Sequence, residues 1–170
     1  AVALDSPILG VGAAALAGAG VGALFAGLAV VGRTDQIVVG MAINLLALGG
    51  TGLASRALYA GLPPAAPTLP PLALAGAPAP AWLQPTPFVP GALLLALVVG
   101  LWLSRTRPGL RLRAVGESAR AADSEGVAVE RMRCAALVTG SALSGVAGAA
   151  LTLALSDSFT EGMTAGRGFI

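Results

Sequence analysis

Histidine and lysine are absent from this sequence of 170 residues, and cysteine occurs once, as Cys134. Without histidine, neither a Ser-His-Asp triad nor a Cys-His pair can form. A single cysteine excludes a disulfide within the chain, and a Cys/His metal site cannot be assembled from these residues. We therefore predict no catalytic residues and no metal site, and we interpret Cys134 as a packing residue.

Charge is also scarce. Only 11% of the residues are charged, whereas 56% are hydrophobic and the mean hydropathy is +0.85. A soluble domain carries about 25% charged residues, so this chain has too few to cover a soluble core. We predict an all-α, polytopic integral membrane protein. The net charge of +2 does not indicate nucleic-acid binding, because the arginines lie between apolar segments.

Apolar runs of ~20 residues are typical of membrane-spanning helices, and they divide the chain. The sequence predicts about four transmembrane helices, near 8–32, 37–60, 88–104 and 134–155, within a single transmembrane domain over 1–170. The chain has no initiator methionine and stops as another apolar stretch begins, so we expect it to be truncated at its C-terminus and also at its N-terminus.

Small residues recur every four positions in the first span, at Ala14, Gly18, Gly22 and Ala26. This spacing predicts close packing of one helix face against another helix. Packing within the chain and a dimer interface are both compatible with it.

The second span carries three polar residues, Asn44, Thr51 and Ser55. At 100° per residue they fall within ~40° of one another on a helix. An amide at membrane depth is costly without a partner, so this stripe faces protein or a water-filled path. Asn44 either ties two helices together or lines the path of a polar solute.

Ten of the twelve prolines lie between positions 61 and 90. Proline removes backbone donors from a helix, so we predict a loop outside the membrane over 61–87. Seven of the ten arginines lie between Arg105 and Arg133. Because short cytoplasmic loops are enriched in arginine, the 105–133 loop is predicted to be cytoplasmic and the proline-rich loop external.

The charged loop contains signals of local structure. Ser118 is placed to cap a short helix over "ARAAD", Gly126 to end it, and a further helix should begin near Val129. The short helix would present small residues at Ala119, Ala121 and Ala122, with exposed charges at Arg120, Asp123 and Glu125. Such a charged protrusion suits docking on a soluble partner, although a solvated connector has the same composition.

From Gly109 onward the loop resembles the cytoplasmic loop of bacterial ABC-importer permeases, in the group that moves branched-chain amino acids, ribose-type sugars and nucleosides. The family pattern Gly-x-x-x-x-Ala-x-Gly-Glu-Asn-x-x-Ala-Ala-x-x-x-Gly-Ile is matched here by Gly109, Ala114, Gly116, Glu117, Ala121, Ala122 and Gly126. Ser118 replaces the asparagine and Val127 the isoleucine.

Two further stretches support the resemblance. "DQIVVGMAINLLALGGTGL" is similar to the family's Asn-Glu-x-Ile-x-x-x-x-Leu-Asn-x-x-Ala segment, with Asp35 and Gln36 in place of Asn-Glu and Ile43 in place of Leu. "SFTEGMTAGRGFI" looks like the corresponding tail of nucleoside-type members. The resemblance covers roughly 34–60 and 108–170.

The resemblance implies a permease subunit of the bacterial cytoplasmic (inner) membrane that works with a second permease subunit. Separate cytoplasmic ATPase subunits would hydrolyse ATP, and an extracytoplasmic substrate-binding protein, a lipoprotein or a periplasmic protein, would deliver the solute. We expect no cofactor on this chain and no enzymatic activity of its own. The residues expected to couple to the ATPase are Gly116, Glu117, Ser118, Arg120, Ala121, Ala122 and Gly126.

A nucleoside is the expected solute, and a sugar or a branched-chain amino acid is the alternative. The candidate path residues are Asn44, Thr51, Ser55 and Phe159, which offer hydrogen bonds and a stacking surface. A secondary transporter is a less favoured reading, because coupling usually places ionisable groups at mid-membrane. An intramembrane enzyme is disfavoured for the same reason.

Overall fold

The computed structural model describes residues 7–59 and 88–154. Six α-helices and one π-helical segment make up the regular structure of those ranges: α1 (Pro7–Ala26), the π segment (Gly27–Val31), α2 (Gln36–Tyr59), α3 (Phe88–Arg105), α4 (Arg107–Glu117), α5 (Ala119–Ser124) and α6 (Val129–Ala154). The all-α prediction is confirmed. The proline-rich loop and the tail with Phe159 lie outside the described residues.

Within residues 7–59 and 88–154, three helical segments are long and apolar enough to cross a membrane: Leu9–Val31, Gln36–Ala57 and Val129–Thr152. α3 passes the same test of length and hydropathy only together with α4, and Pro90–Arg105 and Arg107–Glu117 meet at a bend of 82°. At ~1.5 Å per residue, the 18 residues of α3 are slightly short of a ~30 Å hydrocarbon core.

The chain divides into two compact units, Ala1–Thr68 with Ala136–Ile170, and Leu69–Ala135. In the first unit, the small-residue face of α1 packs directly on α6. A Cβ added at Gly22 would lie 2.6 Å from the Ser141 side chain and 3.0 Å from the Leu137 carbonyl oxygen. A Cβ added at Gly18 would meet the Ser141 carbonyl oxygen and lie 3.1 Å from the Gly145 Cα. The predicted close packing is therefore found within the chain.

The turn between the π segment and α2 is fixed by local hydrogen bonds. The Gly32 N–H donates to the Gly27 carbonyl over 2.9 Å, five residues back, as a π turn requires. Arg33 then adopts a positive φ of 51°. The Asp35 carboxylate accepts from the Ile37 N–H at 2.8 Å and so caps α2.

Few of the side chains that the structure describes are buried. Among them, the buried apolar residues are Ala26, Ala29 and Val39 in the first unit and Val115 and Ala122 in the second. Large aliphatic side chains are exposed along the spans, for example Leu16, which is 76% exposed, and Leu53, which is 72% exposed. Exposed apolar surface on this scale suits helices that face lipid or neighbouring helices.

Candidate functional site

The first part of the charged loop is a helix, α4, which begins directly after α3. Thr106 is its N-cap, with Pro108 in the first turn, and the Thr106 hydroxyl accepts from the Gly109 N–H at 3.2 Å. Gly109 and Val115 are the buried residues of α4. Its exposed residues include three arginines, Arg107, Arg111 and Arg113.

The second part is the short helix predicted from Ser118. The Ser118 hydroxyl accepts from the Ala121 N–H at 3.3 Å, which confirms the predicted cap of α5. The predicted small face is only partly surface. Ala122 is 5% exposed and therefore packs within the loop, Ala119 is half-buried and Ala121 is exposed.

Gly126 ends α5 as predicted, with a φ of +78°. The Val127 N–H donates to the Ala122 carbonyl at 3.0 Å, and the Gly126 N–H donates to the Asp123 carbonyl at 2.9 Å. These two bonds make a Schellman motif, in which glycine supplies the left-handed residue. The chain then turns into α6 at Val129, as the sequence predicts.

The other loop residues singled out from the sequence lie on the surface. They are all exposed: Gly116 and Glu117 at the end of α4, and Arg120, Asp123 and Glu125 on and after α5. The loop therefore buries Val115 and Ala122 and has a charged exterior. Such an exterior can contact a soluble partner without disturbing the loop's own packing.

The polar stripe of α2 combines two kinds of side chain. The Thr51 hydroxyl donates to the Ala47 carbonyl at 2.6 Å, and the Ser55 hydroxyl donates to the Gly52 carbonyl at 2.9 Å. Asn44 and Thr51 are exposed and Ser55 is half-buried. Both hydroxyl protons are used within the helix, so the two oxygens keep lone pairs that can accept hydrogen bonds. The fourth candidate, Phe159, lies outside the described residues.

Metal chemistry finds no support in the part of the chain that the structure describes. Within 7–59 and 88–154, no three His, Cys, Asp or Glu residues come together as metal ligands. Cys134 is a free, half-buried thiol at the start of α6.

Sequence reasoning did not single out α4 or its joint with α3. The signal was present, since Thr106 followed two residues later by Pro108 is a helix-start pattern. The arginines of this stretch were interpreted only as a sign of cytoplasmic location.

The whole chain, residues 1–170, matches the family described as branched-chain amino acid transport system, permease component. The chain belongs to this permease family. The predicted resemblance is thereby confirmed, and the chain is part of a multi-pass membrane protein. No solved structure matches the chain significantly.

Three curated relatives are similar to parts of the chain. A putative glucose ABC transporter permease, TsgC13 of Haloferax volcanii, is 46% identical over 79 residues, which is 46% of this chain and 24% of the relative. The nucleoside ABC transporter permease NupC of Lactococcus lactis is 42% identical over 84 residues, covering 48% of this chain and 26% of the relative. The guanosine ABC transporter permease NupQ of Bacillus subtilis is 31% identical over 97% of this chain and 54% of the relative. The chain thus spans about half the length of these relatives, or less.

Proposed function

We propose that this chain is part of the membrane-spanning subunit of an ABC importer and that its 105–133 loop couples ATP hydrolysis to transport. The observation that carries the proposal is the fold of that loop. Its α4 and α5 form a compact unit with a charged exterior, and the family's Gly-Glu and Ala-Ala positions lie at the end of α4 and in α5. Apolar helices lie on both sides of it.

The partners follow from the same proposal. Cytoplasmic ATPase subunits dock on the loop and consume ATP, a second permease subunit completes the path, and an extracytoplasmic binding protein or lipoprotein delivers the solute. The proposed orientation puts the loop on the cytoplasmic side of a bacterial cytoplasmic membrane, which its seven arginines favour. The 61–87 loop then lies outside.

The solute path is proposed to run along the polar stripe of α2. Asn44 can donate and accept, whereas Thr51 and Ser55 offer lone pairs because their protons bond the helix backbone. Acceptors of this kind suit the hydroxyl groups of a sugar ring, and Phe159 would supply a stacking surface for a base.

A nucleoside is the substrate that we favour, because two of the relatives carry nucleoside or guanosine in their names and the tail motif resembles nucleoside-type permeases. A sugar is the second candidate, since the glucose permease relative is 46% identical over 79 residues. A branched-chain amino acid fits the family description but has no aromatic ring for Phe159 to stack on.

Uptake measurements separate these substrates. Cells that carry the genes for the permease, the ATPase and the binding protein are given labelled uridine, ribose or leucine. The same cells with the permease gene deleted serve as the control. We expect permease-dependent uptake of uridine. Uptake of ribose or leucine alone would contradict the nucleoside assignment and leave the importer assignment intact.

Docking of the ATPase is tested at Ala121, which is exposed and whose side chain is free to grow outward. Ala121→Trp should weaken co-purification of the ATPase while the permease still inserts in the membrane. Ala121→Ser is the matched control and should co-purify normally. Normal co-purification and transport by Ala121→Trp would show that this part of the loop does not contact the ATPase.

A further inference from the structure

The joint between α3 and α4 is a sharp elbow made by one residue. The two helices meet at 82°, and Thr106 is the single residue between Arg105, which ends α3, and Arg107, which begins α4. A bend of this size at so short a break needs local interactions to hold it.

Thr106 bonds to both helices at once. Its hydroxyl donates to the Trp102 carbonyl at 2.6 Å, and the same oxygen accepts from the Gly109 N–H at 3.2 Å. The backbone repeats this link, since the Thr106 N–H donates to Trp102 at 3.1 Å and the Leu110 N–H donates to Thr106 at 3.0 Å. One side chain therefore joins the last turn of α3 to the first turn of α4.

Gly109 closes the elbow by direct backbone packing. A Cβ added there would meet the Trp102 carbonyl oxygen and lie 2.6 Å from the Leu103 Cα and 2.9 Å from the Leu103 carbonyl oxygen. These are backbone atoms and cannot rotate away. Gly109 is buried and Thr106 half-buried, so the contact is shielded on the α3 side.

The opposite end of the loop is built differently. At the joint of α5 and α6, a Cβ added to Gly126 would meet no heavy atom within 4 Å. That joint is a glycine turn closed by backbone hydrogen bonds from Gly126 and Val127, whereas the α3–α4 elbow has a bridging side-chain hydroxyl and directly packed backbones. A displacement of α4 would therefore move α3 with it.

We propose that the Thr106–Gly109 elbow is a rigid link between the loop and the membrane helix α3. When the ATPase changes conformation and displaces the loop, this link transmits the displacement to α3. Thr106 and Gly109 act as positioning residues, because their contacts join α4 to the last turn of α3. This inference rests on the proposed function of the loop. It predicts that loosening the elbow separates ATP hydrolysis from transport, while docking of the ATPase is kept.

The experiment uses the full-length permease, reconstituted in proteoliposomes with its ATPase and binding protein, and measures solute taken up per ATP hydrolysed. Thr106→Val removes the hydroxyl and keeps the shape of the side chain, and Gly109→Ala adds the colliding Cβ. For each we expect normal ATPase co-purification and a loss of uptake per ATP relative to the wild-type protein.

Three matched variants sharpen the test. Thr106→Ser keeps the bridging hydroxyl and should restore wild-type uptake per ATP. Ser104→Ala removes a hydroxyl that bonds only within α3, to the Gly100 carbonyl at 2.9 Å. Gly100→Ala adds a Cβ where nothing lies within 4 Å. Both α3 controls should leave the ratio unchanged.

The outcomes separate the inference from the proposed function. If the wild-type protein binds no ATPase or shows no ATP-dependent uptake, the proposed function is wrong and the elbow has no conformational change to transmit. If wild type couples but Thr106→Val and Gly109→Ala keep its uptake per ATP, the elbow inference is wrong. Equal losses of folded protein, hydrolysis and uptake in both variants would show a merely structural role and would also overturn it.

Discussion

Replacing Gly145 by alanine places a methyl group inside the closest helix contact of the first unit. The added Cβ would meet the Ala14 carbonyl oxygen and lie 3.0 Å from the Ala14 carbonyl carbon and 3.3 Å from the Gly18 Cα. Because these are backbone atoms of α1, no rotamer change relieves the overlap. The helices α1 and α6 must instead move apart, and the neighbouring contact of Gly18 with the Ser141 carbonyl opens with them.

The expected cost follows from overpacking a close contact, which is typically ~1–3 kcal/mol. A cost of ~2 kcal/mol changes the equilibrium between packed and separated helices roughly 30-fold, since ~1.4 kcal/mol corresponds to tenfold. The matched control is Gly148→Ala on the same helix, where an added Cβ has nothing within 4 Å. There the change should be below about 1 kcal/mol and favourable, because alanine is the better helix former.

The assay is thermal unfolding of the full-length permease in detergent, with the amount of folded protein in the membrane as a second measure. Gly145→Ala should lower the midpoint temperature clearly below that of Gly148→Ala, and the folded yield should fall with it. If Gly145→Ala unfolds at the same temperature as Gly148→Ala, the close approach of α1 and α6 is not what stabilises this unit.

Three further predictions concern the turn, the stripe and the topology. Gly126→Val forces a β-branched residue to a φ of +78° and should destabilise the folded loop by ~1–3 kcal/mol. The variant should still insert in the membrane but lose ATPase co-purification, and unchanged ATPase binding would contradict this prediction. Asn44→Leu should lower uptake in an assembled complex if the amide lines the path, or lower the folded yield if it ties helices, and normal values of both would exclude both roles. With Cys134 changed to Ala, an impermeant thiol reagent should label Thr68→Cys in intact cells and Ser124→Cys only after lysis, and labelling of Ser124→Cys before lysis would reverse the topology.

Features that depend on neighbours in the sequence could be predicted. Ser118 caps α5 and Gly126 ends it, because capping and left-handed turns are set by residues within one helical turn. Long apolar runs likewise gave the all-α membrane fold. The start of α6 at Val129, three residues after the Gly126 turn, was also predicted.

Features that depend on distant contacts could be predicted only in part. The spacing of Gly18 and Gly22 indicates a packing face, but a four-residue period does not say which helix it meets, and the structure supplies Ser141 and Gly145 of α6. Similarly, alanine composition gave α5 a small face without showing that Ala122 packs inside the loop and Ala121 does not.

The elbow was not predicted because its contacts join residues of two different helices. The cap at Thr106 has a sequence signal, but the 82° bend and the contact of Gly109 with Trp102 and Leu103 arise from packing of two helices. The residues of the polar stripe were found from periodicity alone. Their role in transport stays a prediction, since exposure in one chain does not show what lies against α2.

The most direct test of the central claim is ATP-dependent uptake by the purified full-length permease, reconstituted in liposomes with its ATPase and binding protein. Labelled uridine is supplied outside and ATP inside, and a parallel sample carries the permease variant Ala121→Trp. The account predicts that uridine accumulates only with hydrolysable ATP and that the variant loses this uptake. Accumulation without ATP, driven by an ion gradient alone, would contradict it.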